Sequence, residues 1–479
     1  MTATRRDFLK AGAALGATTL LPAGAAFGAT SSGKREILLR AAELELSLGL
    51  DERGLKTRFW AYNDVVPGPM LRFKKGERVR IVAENALPAP TAVHWHGVRV
   101  PNDMDGVPFV TQAPIKIGER FTYEFALPDS GTYWYHPHQN SYEQVARGLY
   151  GPLIVEEAKP IQVDRDETWV LSDLKLTADH QPVEDFGRIR DLANEGRLGT
   201  QVLINGRPAG GKHTFSVRSG ERLRLRLINA ASARVFNLAL EGHTLTVIAR
   251  DGQAVQPYAL ATVTLGPGMR VDLIVDCLQK PGASLPVRDV GARGMGELTR
   301  FAYSTEKPLR TKPLNAPVKL APNLIAEPDL GRTSDHYIVF QGGMRGRPVI
   351  GTVDGKASNI HEIMERDGLA WTMNFTAQHE HALMHEPLLY LKKGEHVMLR
   401  MINETDFAHP MHLHGHFFRV VAINGTKTRF PEWRDTVMMG PRETIDVAFV
   451  AENVGEWMFH CHILDHAAGG MMGTIAVED

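Results

Sequence analysis

Histidine is the residue whose placement stands out. Ten of the 20 histidines fall in four short windows, 94–96, 136–138, 409–414 and 460–466. At the chain's overall histidine frequency those windows would hold about 0.8. A lone histidine in a strand is most often a satisfied core or surface residue, but ten clustered in this way form a metal-binding set. His94/His96, His136/His138, His412/His414 and His460/His462 are spaced i, i+2, so each pair projects to one face of a strand. Imidazole-only ligation suits copper, zinc or iron, and eight ring nitrogens exceed what one ion accepts. They point to a polynuclear centre with open positions. Two pairs lie early in the chain and two late, so this centre belongs where the two ends meet.

Cys461 lies between His460 and His462 and therefore points to the opposite face, toward a different metal ion. His409, His466 and Met471 are in reach along the sequence. A His2Cys set with a weak axial Met is the ligand set of a blue-copper electron-transfer site. One peptide segment would then join a mononuclear site to the polynuclear one, with electrons passing from the thiolate along the Cys461 backbone to His460 and His462.

These side chains are positioned by a repeat. Gly76-Glu77-Arg78-Val79, Gly220-Glu221-Arg222-Leu223 and Gly394-Glu395-His396-Val397 each run to an Asn nine residues after the Gly, namely Asn85, Asn229 and Asn403. Three matched copies imply three copies of one fold. In the outer copies the register continues another nine residues to His94-Trp95-His96-Gly97 and His412-Leu413-His414-Gly415. The middle copy carries Leu238 and Leu240 instead, so it is expected to be structural. A second block pairs Gly131 to His138 with Gly455 to His462, each with a His five residues after the Gly. The stretches 121–125 and 444–449 alternate as half-buried strands do. The reading is all-β, three β-sandwich domains over 35–158, 159–305 and 335–479, with a Pro-rich linker from Lys307 to Pro328.

Composition narrows the function further. Lys+Arg 54 against Asp+Glu 55 leaves a net charge of -1, so no global field favours nucleic acid or an anionic membrane surface. The 45 Gly and 28 Pro suit a turn-rich β protein, and two cysteines allow no disulfide scaffold. Cys277 reads as a buried strand-end thiol. At the N-terminus, Arg5-Arg6-Asp7-Phe8-Leu9-Lys10, a weakly apolar run to Leu21 and the small residues Ala23-Gly24-Ala25 resemble a twin-arginine export signal over 1–29. Pro22 and the abundant Gly, Ala and Thr argue against a stable membrane span.

The motifs His94-Trp95-His96-Gly97, His136-Pro137-His138, His409-Pro410-Met411-His412-Leu413-His414 and His460-Cys461-His462-Ile463-Leu464-Asp465-His466 through Met471 resemble those of the three-domain multicopper oxidases. That family includes laccases, copper-efflux oxidases and ferroxidases. The likeness spans essentially the whole chain after the signal. It implies cupredoxin-like Greek-key sandwiches and four copper ions. By resemblance, His94 and His412 hold a type 2 copper. His96, His136 and His462 hold one type 3 copper, and His138, His414 and His460 the other. His409, Cys461 and His466 hold the type 1 copper with Met471 axial. It also implies O2 as acceptor, a donor among phenols, aromatic amines, Cu(I) and Fe(II), export machinery as partner, and the periplasm as destination.

Oxygen reduction needs protons, and Asp105 matches the acid the family places after the first motif. Many bacterial relatives carry a second acid directly after the last His ligand, where this chain has Ala467-Ala468. An axial Met lowers the potential and favours easily oxidised donors. No dense methionine tract is present, although 11 of 17 Met lie at or beyond Met364. The stretch from His379 to Glu386 is the one candidate loop for capturing Cu(I). The intact ligand set argues against a scaffold protein of the same fold, and the bridging His460-Cys461-His462 against a nitrite reductase.

Overall fold

The computed structural model describes residues 36–479 apart from 51, 211–212 and 381–385, so the export signal and the middle of the His379–Glu386 stretch lie outside the described residues. Strands from residues 36–156 form two four-stranded sheets, and those from 165–303 a seven- and a five-stranded sheet. Those from 334–478 form a seven- and a five-stranded sheet with a short hairpin. Each region has its own apolar core, centred on Trp95 and Tyr123, on Leu225 and Leu273, and on Trp457 and Phe459. The only helix longer than five residues among the described residues is Ile360–Asp367.

The repeat is visible in hydrogen bonds. Gly76, Gly220 and Gly394 adopt φ of 85°, 84° and 82°, a conformation open to glycine without cost. The following Glu77, Glu221 and Glu395 each accept from the backbone N–H three residues back. The strands Arg78–Ala86, Glu221–Asn229 and His396–Asn403 then pair in parallel with the first strand of their own region. Asn85, Asn229 and Asn403 end them identically, each Oδ1 accepting from the N–H two residues on and each Nδ2 donating to two loop carbonyls. Such buried side chain to backbone bonds fix the loop that follows. In the outer copies that loop delivers the first histidine pair.

The two ends of the chain match across their strands as well. His94 lies opposite His136, as His412 lies opposite His460. The i, i+2 expectation needs one correction. His138, His414 and His462 fall just past the ends of Gly131–His136, His409–Leu413 and Gly455–Cys461. Only His94 and His96 share one strand. Leaving the ladder at these points frees the later histidine of each pair to turn toward a neighbouring group of ligands.

Candidate metal centre

All eight histidines of the four pairs are buried, with rings packed against one another. Potential ligand atoms of His94, His412 and His414 lie within 4.8 Å of one another, as do those of His138, His414 and His460 and those of His94, His96 and His136. The His462 ring centroid lies 4.9 Å from that of His96 and 5.2 Å from that of His136.

The hydrogen-bond pattern fixes which nitrogens are free. His94 Nδ1 donates to the Asp105 carbonyl at 2.8 Å, His136 Nδ1 to the Pro137 carbonyl at 3.0 Å and His412 Nδ1 to the Asp435 carbonyl at 2.8 Å. Their Nε2 atoms are buried without a hydrogen-bond partner, as are His138 Nε2, His96 Nδ1 and both nitrogens of His462. Leaving so many buried polar atoms unpaired would cost about 1–3 kcal/mol each, so the group is built for a ligand. His414 and His460 make the case sharper. Each donates through Nδ1, to Asp105 Oδ2 at 2.7 Å and to the Cys461 carbonyl at 2.8 Å, so their Nε2 lone pairs face one another at 3.2 Å. Two facing lone pairs need a cation between them. Burial lowers the pKa of His96, His136, His138, His414, His460 and His462 well below the usual imidazole range, which keeps those lone pairs available.

On the other face of Gly455–Cys461, Cys461 Sγ lies 3.6 Å from His409 Nδ1 and 3.7 Å from His466 Nδ1, with the two nitrogens 3.0 Å apart. The outer nitrogens are occupied, His409 Nε2 by Thr405 Oγ1 at 2.8 Å and His466 Nε2 by the Asn194 carbonyl. The inner triangle of one sulfur and two lone pairs therefore fits a trigonal His2Cys site. Met471 is fully buried beside it, its N–H donating to the His466 carbonyl and its carbonyl accepting from the Cys461 N–H. The Trp371 ring walls the site, 4.5 Å from His466 and 5.1 Å from His409 by centroids. Cys277 lies buried at the end of Arg270–Cys277 and joins neither group.

Asp105 is buried, with its carboxylate on His414 and its backbone on His94, while Oδ1 has no hydrogen-bond partner. Asp435 carries no spacing signal in the sequence, yet it is the carboxylate beneath the cluster. Its Oδ1 lies 3.3 Å from His96 Nε2 and 3.5 Å from His412 Nδ1, and Arg270 grips it through Nη1 at 2.7 Å and Nη2 at 2.6 Å. Burial would raise its pKa, but the Arg270 charge more than offsets that and holds it well below the usual carboxylate range.

No histidine or cysteine of the middle region joins these groups among the described residues. The region still does more than space the ends, because it supplies Arg270, the Asn194 carbonyl on His466, and Gly268. Gly268 has φ of 81°, and a Cβ there would sit 2.7 Å from the His462 ring. Gly268→Ala is therefore expected to cost about 1–3 kcal/mol in strain and to displace His462. Calorimetry with copper quantification would show a lowered transition and copper lost from the eight-histidine group, with the Cys461 site intact.

His379 and Glu380 line a cavity of about 240 Å³ that also contains His138, Ala467 and Met472. The described start of the supposed capture loop thus lies on the eight-histidine side and does not line the clefts beside His466.

Three family models described as "Multicopper oxidase" match residues 50–160, 166–284 and 354–479, and a twin-arginine translocation signal matches 2–22. The chain is 30% identical to "Multicopper oxidase MmcO" of Mycobacterium tuberculosis over 86% of this chain and 81% of that one. It is 26% identical to "Copper resistance protein A" of Pseudomonas syringae pv. tomato over 99% of each. "Laccase-2" of Botryotinia fuckeliana is 30% identical over 86% of this chain and 77% of its own. A solved multi-copper oxidase from Pseudomonas thermotolerans superposes with a TM-score of 0.80 at 32% identity, covering 92% of this chain and 98% of that one. Buried imidazoles facing one another without protons to share, a buried thiol between two imidazoles one residue away and these likenesses lead to one conclusion: the chain belongs to the multicopper oxidases, oxidoreductases that bind copper, and carries a twin-arginine signal for export across the membrane.

Proposed function

We propose that this oxidase couples one-electron oxidation of four donor equivalents at a type 1 copper to four-electron reduction of O2 to water at a trinuclear cluster of one type 2 copper and a type 3 pair. It works in the periplasm, as three cupredoxin-like units over 35–158, 159–305 and 335–479. The supporting observation is the segment His460-Cys461-His462, whose thiol faces His409 and His466 while its two imidazoles face the eight-histidine group. Bound copper supplies the reversible one-electron couple beside Cys461 and the O2-reducing chemistry among the eight histidines. His94 and His412 would hold the type 2 ion. His96, His136 and His462 would hold one type 3 ion, and His138, His414 and His460 the other. His409, Cys461, His466 and Met471 would hold the type 1 ion.

The chain's own residues do the rest. Cys461 and His460 are joined by the backbone and by the 2.8 Å bond from His460 Nδ1 to the Cys461 carbonyl, which gives two short routes between the groups. Asp105 Oδ2 orients His414 and its Oδ1 lies 3.3 Å from His94 Nδ1, which puts this carboxylate, the relay acid of the proposal, between the two rings. Glu380 provides a second acid where the sequence after His466 has only alanines. It sits in the cavity beside His138 and Ala467, with Tyr142 and His379 as the other titratable groups lining it. Burial pushes Glu380 up to about 7, against a weak lowering by the Asn140 N–H. The carboxyl is therefore loaded with a proton below about pH 7 and empty above it. Turnover with a donor that releases no proton, such as ferrocyanide, should fall as pH rises through about 7. Glu380→Gln should remove that limb of the profile, and an unchanged limb would exclude Glu380 from proton delivery.

The overall reaction is tested by the ratio of donor oxidised to O2 consumed, with peroxide assayed in parallel. Four to one without peroxide is expected, and two to one with peroxide would refute the reading. Copper-resistance relatives keep Cu(I) open as an alternative donor to phenols, and O2 uptake with Cu(I) against a methoxyphenol separates the two.

A further inference from the structure

Two clefts meet beside His466. The first, about 330 Å³, is lined by His466 itself and by Leu198, Val235, Phe407, Met438 and Ile463. The second, about 710 Å³, presents Lys175, Arg188, Arg190, Arg293 and Arg345. Glu195, Leu198 and Arg293 line both, so the two are continuous. Asn194, whose carbonyl accepts from His466 Nε2, lines the basic cleft, which therefore reaches the peptide capping the type 1 imidazole.

The positive charge of the second cleft is not balanced within it. Asp191 and Glu195 are the only carboxylates among its lining residues. Glu195 is shared between Arg293 and Arg345, the latter at 3.0 Å. Lys175 and Arg188 both lean on Asp185, which also pairs with Arg197. Arg190 makes no ion pair among the described residues. In a chain of net charge -1 this excess is local, and a cleft lined by one sign of charge raises the concentration of the opposite sign. Its one lining thioether, Met344, already accepts from Asn194 Nδ2 at 3.6 Å, so the cleft offers a cation little.

We propose that the donor selected here is a phenol carrying an anionic substituent, its ring in the apolar cleft against His466 and its carboxylate among Arg190, Arg293 and Arg345. This rests on the oxidase reading above and names its substrate class. Each phenol gives up one electron and its phenolic proton to become a phenoxyl radical. Four phenols and one O2 thus yield four radicals and two waters, the four released protons matching the four consumed.

The test uses the copper-loaded full chain with 2,6-dimethoxyphenol and 4-hydroxy-3,5-dimethoxybenzoate. The carboxylate makes the second the harder to oxidise, so chemistry alone favours the neutral donor. The expected result is a kcat/KM about tenfold higher for the benzoate at low salt, shrinking at high salt as charges are screened. Arg190→Glu and Arg345→Glu should each lower the benzoate-to-phenol ratio. Binding is read separately by calorimetric titration with 3,4,5-trimethoxybenzoate, which has no phenolic hydroxyl to oxidise, against 3,4,5-trimethoxybenzamide. Saturable binding of the benzoate alone is expected. Equal ratios without salt dependence, or equal binding, would overturn the proposal while leaving the oxidase reading intact. No O2 uptake with any donor would overturn the oxidase reading, and the donor role with it.

Discussion

Replacing Cys461 with serine is expected to abolish O2 uptake with every donor and to remove one equivalent of bound copper together with the blue absorbance. Copper held by the eight histidines should stay. Cys461 is fully buried between His409 and His466, and it is the one cysteine grouped with their Nδ1 atoms among the described residues. Burial holds the thiol far above its usual range, so ionisation there depends on a cation, and a serine hydroxyl is a much poorer partner for a soft metal. The buried hydroxyl should cost about 1–3 kcal/mol, small enough for the variant to fold. Absorbance, copper content and O2 consumption, measured on protein with a normal unfolding transition, check this. Retained blue colour would place the type 1 site elsewhere.

Asp435→Asn should have the next largest effect, and on two readouts. It leaves Arg270 fully buried with only Asp251 Oδ1, at 3.8 Å from Nη1, as a carboxylate neighbour. Breaking one side of a buried pair costs about 3–5 kcal/mol. It also withdraws the carboxylate that holds His96 and lies 3.5 Å from His412 Nδ1, and losses of this kind weaken metal binding by about 10–100-fold. Calorimetry should show the destabilisation, and copper titration the loss from the eight-histidine group with the blue absorbance intact. The double variant Arg270→Met/Asp435→Leu separates the two roles. Removing both charges should recover much of the stability, while the copper affinity stays low because His96 has lost its carboxylate partner, His412 keeping the backbone carbonyl of residue 435.

The grouping of the histidines and Cys461 was legible because strand geometry turns spacing into direction up to the strand ends. His460, Cys461 and His462 alternate faces, and the structure puts Cys461 against His409 and the flanking imidazoles into the other group. The repeat was legible for a similar reason: a left-handed Gly, a Glu that bonds back and a strand-ending Asn are each needed at a fixed offset. The residues that support the ligands were not. Arg270, Gly268 and Asn194 reach the centre from the middle region, and Asp435 from the strand edge opposite His412, so no local spacing marks them. Glu380 is the same case, since it stands beside Ala467 although it lies 87 positions earlier in the chain. The basic cleft beside His466 is likewise assembled from residues as distant as Lys175 and Arg345, and a net charge near zero conceals it.

Four coppers are expected where the free ring nitrogens and the thiol converge. Anomalous diffraction at the copper edge from crystals of the copper-loaded protein tests it directly. One peak is expected within the triangle of His409, Cys461 and His466, and three among the eight histidines, between His414 and His460 above all. A single peak in the eight-histidine group, or none beside Cys461, would contradict it.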